Sequence, residues 1–399
     1  MRILIISVYP FPIGYSATNR ILSYSKGLVE LGHYVKYFSL RPTEKPDKVI
    51  NKSSKGVFEG VDYEYSNGTT IWSRYTFIKV LQALYGYFRS FYVLLFKKLF
   101  KSFDCVLISF DNVYLIFLLS FYLKLLLRVK TVLIVDEFPY VLRENISVYR
   151  LFPILLKLEP IIGYRFFNGI ITMTRPLRDY FIQYKNNSCK MKIIPMTVEP
   201  ERFNIQKDNI IKDKYIAYIG DLVKDKDGVD NAISAFAIIS PKYPDYKFYI
   251  LGSAKNENDL VRLKEQVAKY KLTEKILFIG KVNRDKVPTY LCGATLLILA
   301  RPDNERAKGG FPTKLGEYLA TGNPVVVSDV GEISVYLTDG LNAFISKSNE
   351  AFEFSKKIDE ALSNLTKARD IGKKGRELSH NVFNYKVQAQ NMAEFLNEL

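Results

Sequence analysis

A chain of 399 residues is too long for one ordinary hydrophobic core and predicts two or three domains. Its 48% hydrophobic and 25% charged residues are ordinary for a soluble globular protein. The net charge of +16 is uneven: residues 1–200 carry +13 of it, which favours an anionic partner for that half, whether phospholipid, nucleic acid or a phosphorylated substrate. Cys105, Cys189 and Cys292 are far apart, which argues against a disulfide framework and for a reducing compartment. His33 and His380 are the only histidines, and neither HExxH nor paired-Cys spacing occurs, so no metal site is expected. Asp225 and Asp227 bracket Lys226, and a lysine between two acids does not suit a nucleotide-bound divalent ion.

The opening "MRILIISVYP" has the length of a strand and no small-residue cleavage site, so it predicts a buried strand over 2–8 and no signal peptide. Further strand-like runs fall at 34–40, 105–110, 131–136 and 169–174. The apolar stretch 113–123 stops at Lys124, short of a membrane span. Two segments, 74–103 and 149–167, mix basic and aromatic residues at helical spacing. Each reads either as a core helix with a solvated basic face or as a helix lying on an anionic membrane. The stretch 193–215 turns polar and marks a boundary. A second series of strands follows at 215–220, 247–252, 275–280, 295–300, 324–329 and 343–346, with 301–310 as a long loop. Continuous apolar strands separated by helices predict parallel sheets covered on both faces. The chain is therefore α/β, with two doubly wound Rossmann-like domains facing a cleft: 1–200, basic, and 201–384. The amphipathic segment 385–399 is a terminal helix, expected to pack back on the first domain.

In the second series, "GGFPTKLGEYLATGNPVVVSD" (309–329) reads as a turn, a helix from Pro312, a stop at Gly322 and a buried strand. Gly309 and Gly310 free the backbone before a helix whose positive end carries Thr313 and Lys314, a natural anion site. Leu315 and Leu319 fall on the other side and should face the core. Glu317 has two readings: a partner for Lys314 that complements the helix end, or an acceptor for neutral hydroxyls such as those of a ribose. The second describes a nucleotide-diphosphate pocket.

Four stretches in chain order carry a resemblance: "ILSYSKGLVELGHYVKYFS" (21–39), "IIPMTVEPERF" (193–203), "YIGDLVKDKDGVDNAISAF" (218–236) and "GGFPTKLGEYLATGNPVVVSDVGEI" (309–333). They resemble the retaining glycosyltransferases of family 4, which have the GT-B fold and use nucleotide-sugar donors. The resemblance implies that Glu317 binds the ribose hydroxyls. It implies that Gly310, Phe311, Pro312, Thr313 and Lys314 hold the diphosphate and sugar, and that Lys226 neutralises the diphosphate. Lys226 and Glu317 are thus the catalytic candidates. Val282 would lie near the base, and Gly14, in "YPFPIGYSATNR", in a first-domain loop closing over the sugar. The implied chemistry needs no side-chain nucleophile and no cofactor: the acceptor attacks from the side on which the nucleotide leaves, and the phosphate takes its proton.

The sequence departs from the family pattern at three places. Gly309 replaces the acid that would contact the sugar, with Glu305 nearby as a substitute. Asp221 replaces an arginine, with Lys224 nearby. "VDEFPYVLR" (135–143) places Asp136 or Glu137 where a histidine is usual, as contacts for acceptor or sugar. His33 is expected to be structural and His380 solvated. The predicted activity is transfer of a sugar to a glycan or polyprenyl-linked acceptor in bacterial surface-polysaccharide synthesis, by a cytoplasmic protein peripheral on the inner membrane face, with no specific nucleic acid. The alternatives are a non-catalytic basic membrane- or nucleic-acid-binding protein on a degenerate GT-B fold, and a nucleotide-sugar 2-epimerase.

Overall fold

The computed structural model describes residues 1–96, 103–143, 160–206, 211, 213–223, 226–254, 256–347 and 350–399. Two compact units form: Met1–Thr197 with Tyr385–Leu399, and Val198–Asn384.

The first unit holds an eight-stranded sheet: β1 (Arg2–Ser7), β2 (Tyr34–Ser39), β3 (Lys55–Phe58), β4 (Val61–Tyr65), β5 (Cys105–Ser109), β6 (Lys130–Val135), β7 (Gly169–Thr172) and β8 (Lys190–Ile193). The order is β3-β4-β2-β1-β5-β6-β7-β8, and the pairing is parallel except for β3 against β4. The central strands β1, β5 and β6 are the continuous apolar runs, as strands buried on both faces must be. The sequence reading missed β3, β4 and β8. β3 and β8 are short edge strands that each begin with a lysine, and β4 alternates buried Val61, Tyr63 and Tyr65 with half-buried acids.

Helices of this unit include α1 (Ser16–Glu30), α2 (Thr76–Phe96), α3 (Val113–Phe121), α4 (Pro139–Arg143) and α5 (Arg175–Ile182). A π-helical turn, Tyr122–Leu126, continues α3. The last helix of the chain, Tyr385–Glu398, belongs to this unit. It lies on α1, where a Cβ on Gly27 would meet the Ala389 Cβ at 2.5 Å, and Tyr385 donates to Glu30 at 2.7 Å. Its Met392, Phe395 and Leu396 join the core formed by Ile3, Ile5, Tyr24 and Leu107.

The second unit holds β9 (Tyr215–Ile219), β10 (Lys247–Leu251), β11 (Ile276–Gly280), β12 (Leu296–Leu299), β13 (Val325–Ser328) and β14 (Phe344–Ser346), in the order β11-β10-β9-β12-β13-β14, all parallel. The order reverses between β9 and β12. Such a switch point opens a crevice outside the carboxyl ends of those two strands. The helices are α6 (Val229–Ile239), α7 (Glu257–Lys269), α8 (Val287–Gly293), α9 (Glu305–Gly309), α10 (Thr313–Thr321), α11 (Ile333–Tyr336), α12 (Ala351–Ser363) and α13 (Leu365–Asn381), which makes the terminal helix α14. Residues 301–310 are therefore not all loop, because Asn304 caps α9 by accepting from the Ala307 N–H at 2.9 Å.

Candidate functional site

A small group of charged side chains in the second unit gathers past the ends of β9 and β12. Helix α10 starts there, with Pro312 as the extended residue before it and Thr313 as its first residue. Leu315 and Leu319 are buried, and Gly322 ends the helix at φ 75°. Lys314 is mostly buried, with 14% of its side chain exposed, and reaches inward. Its ammonium pairs with Asp227, lies 3.3 Å from the Tyr218 hydroxyl and sits over the Tyr218 ring. Burial pulls Lys314 below the ordinary lysine value, with Asp227 opposing. Burial would raise the Asp227 carboxyl, but Lys314, Arg301 and Lys226 outweigh it and hold the group below its usual range.

Two glycines make this packing possible. A Cβ on Gly220, just after β9, would stand 2.0 Å from the Lys314 Nζ. Gly228, at φ 71°, lies so close to β12 that a Cβ would stand 1.7 Å from the Ala300 carbonyl oxygen. Lys226 pairs with Asp221 at 2.6 Å, so the acid that replaces the expected arginine holds the neighbouring lysine. Lys224 and Asp225 lie outside the described residues. Buried Arg301, two residues after β12, donates to the Gly310 carbonyl at 3.1 Å. Three cations and two carboxylates thus meet next to the positive end of α10.

Glu317 does not pair with Lys314, as one of its two readings had it. Its Oε1 accepts from Arg202 at 3.1 Å. Arg202 sits in the 3-10 turn Pro200–Phe203 and also donates to the Arg284 carbonyl at 2.7 Å, while Arg284 pairs with buried Glu199. The lysine is taken inward by Asp227, and Arg202, on another element, covers the acid.

Neither Gly309 nor Gly310 adopts a left-handed backbone. Gly309 is the buried last residue of α9, and Gly310 is extended at φ −106°. The Phe311 ring is core, against Tyr336 and Phe383. Val282 is half-buried in the loop after β11. Glu305 is exposed and pairs with Lys308 one turn on. Sequence reasoning missed Tyr218, Arg202 and Arg301. Arg202 stood in the quoted "EPERF", and Arg301 follows a wholly apolar strand, which is a signal that was there to use.

In the first unit, Gly14 lies in a loop that is tied down. A Cβ there would meet the Thr18 Oγ1 at 2.2 Å, and Thr18 donates to the Pro10 carbonyl at 2.7 Å. Buried Asn51 accepts from the Ile13 N–H at 2.9 Å and donates to the Ile13 carbonyl at 2.8 Å. The Tyr65 hydroxyl bonds both backbone groups of Phe11. Asp136, at the end of β6, pairs with buried Arg20 of α1, and Arg20 also donates to the Tyr24 hydroxyl at 2.8 Å. Glu137 lines a small pocket with Asp111, Leu133, Tyr164 and Phe181. His33 lies 2.9 Å from the Met1 amino group, and His380 is half-buried on α13 rather than solvated.

The family comparison bears on the unit that holds the charged corner. Residues 201–378 match the family model described as glycosyl transferases group 1. Curated relatives are similar over parts of the chain. The amylovoran biosynthesis glycosyltransferase AmsK of Erwinia amylovora is 26% identical over 41% of this chain and 39% of its own. The lipopolysaccharide core biosynthesis mannosyltransferase LpsB of Rhizobium meliloti (strain 1021) is 31% identical over 32% and 34%. The capsular polysaccharide biosynthesis glycosyltransferase CapM of Staphylococcus aureus is 23% identical over 50% and 52%. The matches thus span between a third and about half of those relatives.

Solved structures match over the whole chain. Sucrose-phosphate synthase (tll1590) from Thermosynechococcus elongatus has a TM-score of 0.78 at 16% identity, covering 100% of this chain and 98% of that one. Anabaena Alr3699/HepE in complex with UDP has a TM-score of 0.73 at 16% identity, with both chains covered completely. The fold is GT-B, with two Rossmann-like domains built on parallel sheets.

Proposed function

We propose that this chain is a retaining glycosyltransferase of the family 4 type. It would move a sugar from a nucleotide-diphosphate sugar to a glycan or polyprenyl-linked acceptor in bacterial surface-polysaccharide synthesis. The observation that carries the reading is the charged corner at the switch point of the second sheet, where Lys226, Lys314 and Arg301 surround the start of α10. A diphosphate placed there meets backbone N–H groups and fixed cations, and competes with Asp221 for Lys226. Lys314, paired with buried Asp227, contributes its charge to the corner. The Thr313 hydroxyl, half-buried at the helix start, is placed to donate. Glu317 keeps Oε2 for the ribose hydroxyls while Arg202 holds Oε1.

In this reading the bond from the anomeric carbon to the phosphate oxygen breaks and the acceptor oxygen bonds that carbon on the same face. The acceptor proton passes to the leaving phosphate. The chain's part is positioning and charge neutralisation by its own cations, without a metal. The names of AmsK, LpsB and CapM support the polysaccharide setting, and the complex of HepE with UDP makes uridine donors the first to try.

The test is a screen of UDP-, GDP- and ADP-sugars by thermal shift and nucleotide release, with and without EDTA. One donor should raise the melting temperature and release nucleotide slowly, undiminished by EDTA. Neither effect with any donor would leave a binding protein, and a changed sugar without nucleotide release would identify an epimerase.

A further inference from the structure

Helix α2 is amphipathic the wrong way round for a helix on a water-facing surface. Its polar Gln82 and Arg89 face the body of the first unit. Gln82 accepts from the Ser73 N–H at 2.8 Å and donates to the Ile71 carbonyl at 3.3 Å, and Arg89 donates to the Ser66 carbonyl. Gly86 is the close approach, since a Cβ there would meet the Asn67 Oδ1 at 2.3 Å and the Leu40 carbonyl oxygen at 2.5 Å. Val93 and Leu94 are buried at the end of the helix, but most of the other apolar residues point to solvent. Phe77, Leu81, Leu84, Phe88, Tyr92 and Leu95 recur at steps of three and four, one stripe of a helix, with Phe77 73% and Phe88 74% exposed. Neighbouring α3 and its π-turn extend the surface with exposed Tyr114, Leu118, Leu125 and Leu126, and Tyr122 packs edge-on against Phe91 of α2. Contiguous exposed apolar area of this kind marks an interaction surface.

The charges choose the partner. From Tyr65 to Phe103, and again from Asn112 to Val135, the sequence holds no carboxylate. Arg74, just before α2, and Lys79, within it, are exposed. A two-fold contact between copies of α2 would bring Arg74 and Lys79 against their own equivalents, with no carboxylate in α2 or α3 to answer them. No described helix is long and apolar enough to cross a membrane, and α2 is held flat by its polar contacts. We propose that the α2 stripe inserts into the surface of an anionic phospholipid bilayer, with α2 lying in the plane of the headgroups. The proposal stands independently of the donor-site reading, because it rests on a different face of a different unit.

The test is flotation of the full chain with phosphatidylcholine vesicles, with and without phosphatidylglycerol. The wild type should float with phosphatidylglycerol vesicles at low salt and less at high salt. The combined variant Phe77→Ser, Leu84→Ser, Phe88→Ser should lose partitioning by on the order of a hundredfold, with melting temperature and nucleotide-sugar binding unchanged. A second readout is Phe88→Trp in a Trp72→Phe background, which leaves one tryptophan on the stripe; brominated lipid should quench it. Three results overturn the proposal: no flotation of the wild type at low salt, equal flotation of the triple variant, or a wild-type dimer that the triple variant dissolves without any lipid binding.

Discussion

Glu317 shows what a residue-level argument can reach. Its spacing from Thr313 and Lys314 was enough to mark an acid near an anion site. It was not enough to find Arg202, which lies 115 residues away in sequence on a 3-10 turn. The structure makes the ribose role testable by separating the two carboxylate oxygens. Glu317→Gln keeps the shape and removes the charge, and should weaken donor binding roughly tenfold by titration calorimetry. Arg202→Met should weaken it less, by roughly threefold, because the acid survives and only its orientation loosens. Unchanged affinity in Glu317→Gln would leave the acid as no more than the partner of Arg202.

At the scale of elements, the loop after β1 carries the sharpest difference between expectation and structure. The resemblance implies a glycine loop that closes over a substrate, whereas residues 10–14 are clamped by Asn51, Tyr65 and Thr18. Thr18 is local to the loop, but the other two clamps were not visible locally, because Asn51 lies 38 residues from Ile13 and Tyr65 lies 54 from Phe11. Asn51→Ala removes both bonds to Ile13 and also the amide that buried Glu44 accepts from. It should cost ~1–3 kcal/mol in urea unfolding and speed amide exchange at the loop. Wild-type exchange there would show that Asn51 is not what holds the loop. The missed strands β3 and β8 have a related cause: edge strands need only one neighbour and carry lysines that the apolar pattern discounts.

At the scale of the whole molecule, the chain returns to its first unit to finish that unit's core. Phe395 of α14 is buried against Gly169 at the start of β7, where a Cβ would stand 2.9 Å from its ring. Phe395→Ala should destabilise the protein by ~3–5 kcal/mol in urea unfolding, the cost of a cavity in a closed core. A loss below ~1 kcal/mol would mean that α14 contributes little to that core. The sequence alone determined the α/β class, the two series of buried strands, the apolar face of α10 and the Thr313, Lys314 and Glu317 set that the helix carries. These follow from short-range patterns, since periodicity and helix-end chemistry are written within a few residues. Only the tertiary structure decided which charges meet: Lys314 with Asp227, Lys226 with Asp221, Glu317 with Arg202 and Arg20 with Asp136. It also decided that α2 turns its apolar stripe outward. Periodicity shows that a helix has an apolar face, but the packing of distant elements decides whether that face is covered, and ion pairing depends on the same long-range adjacency.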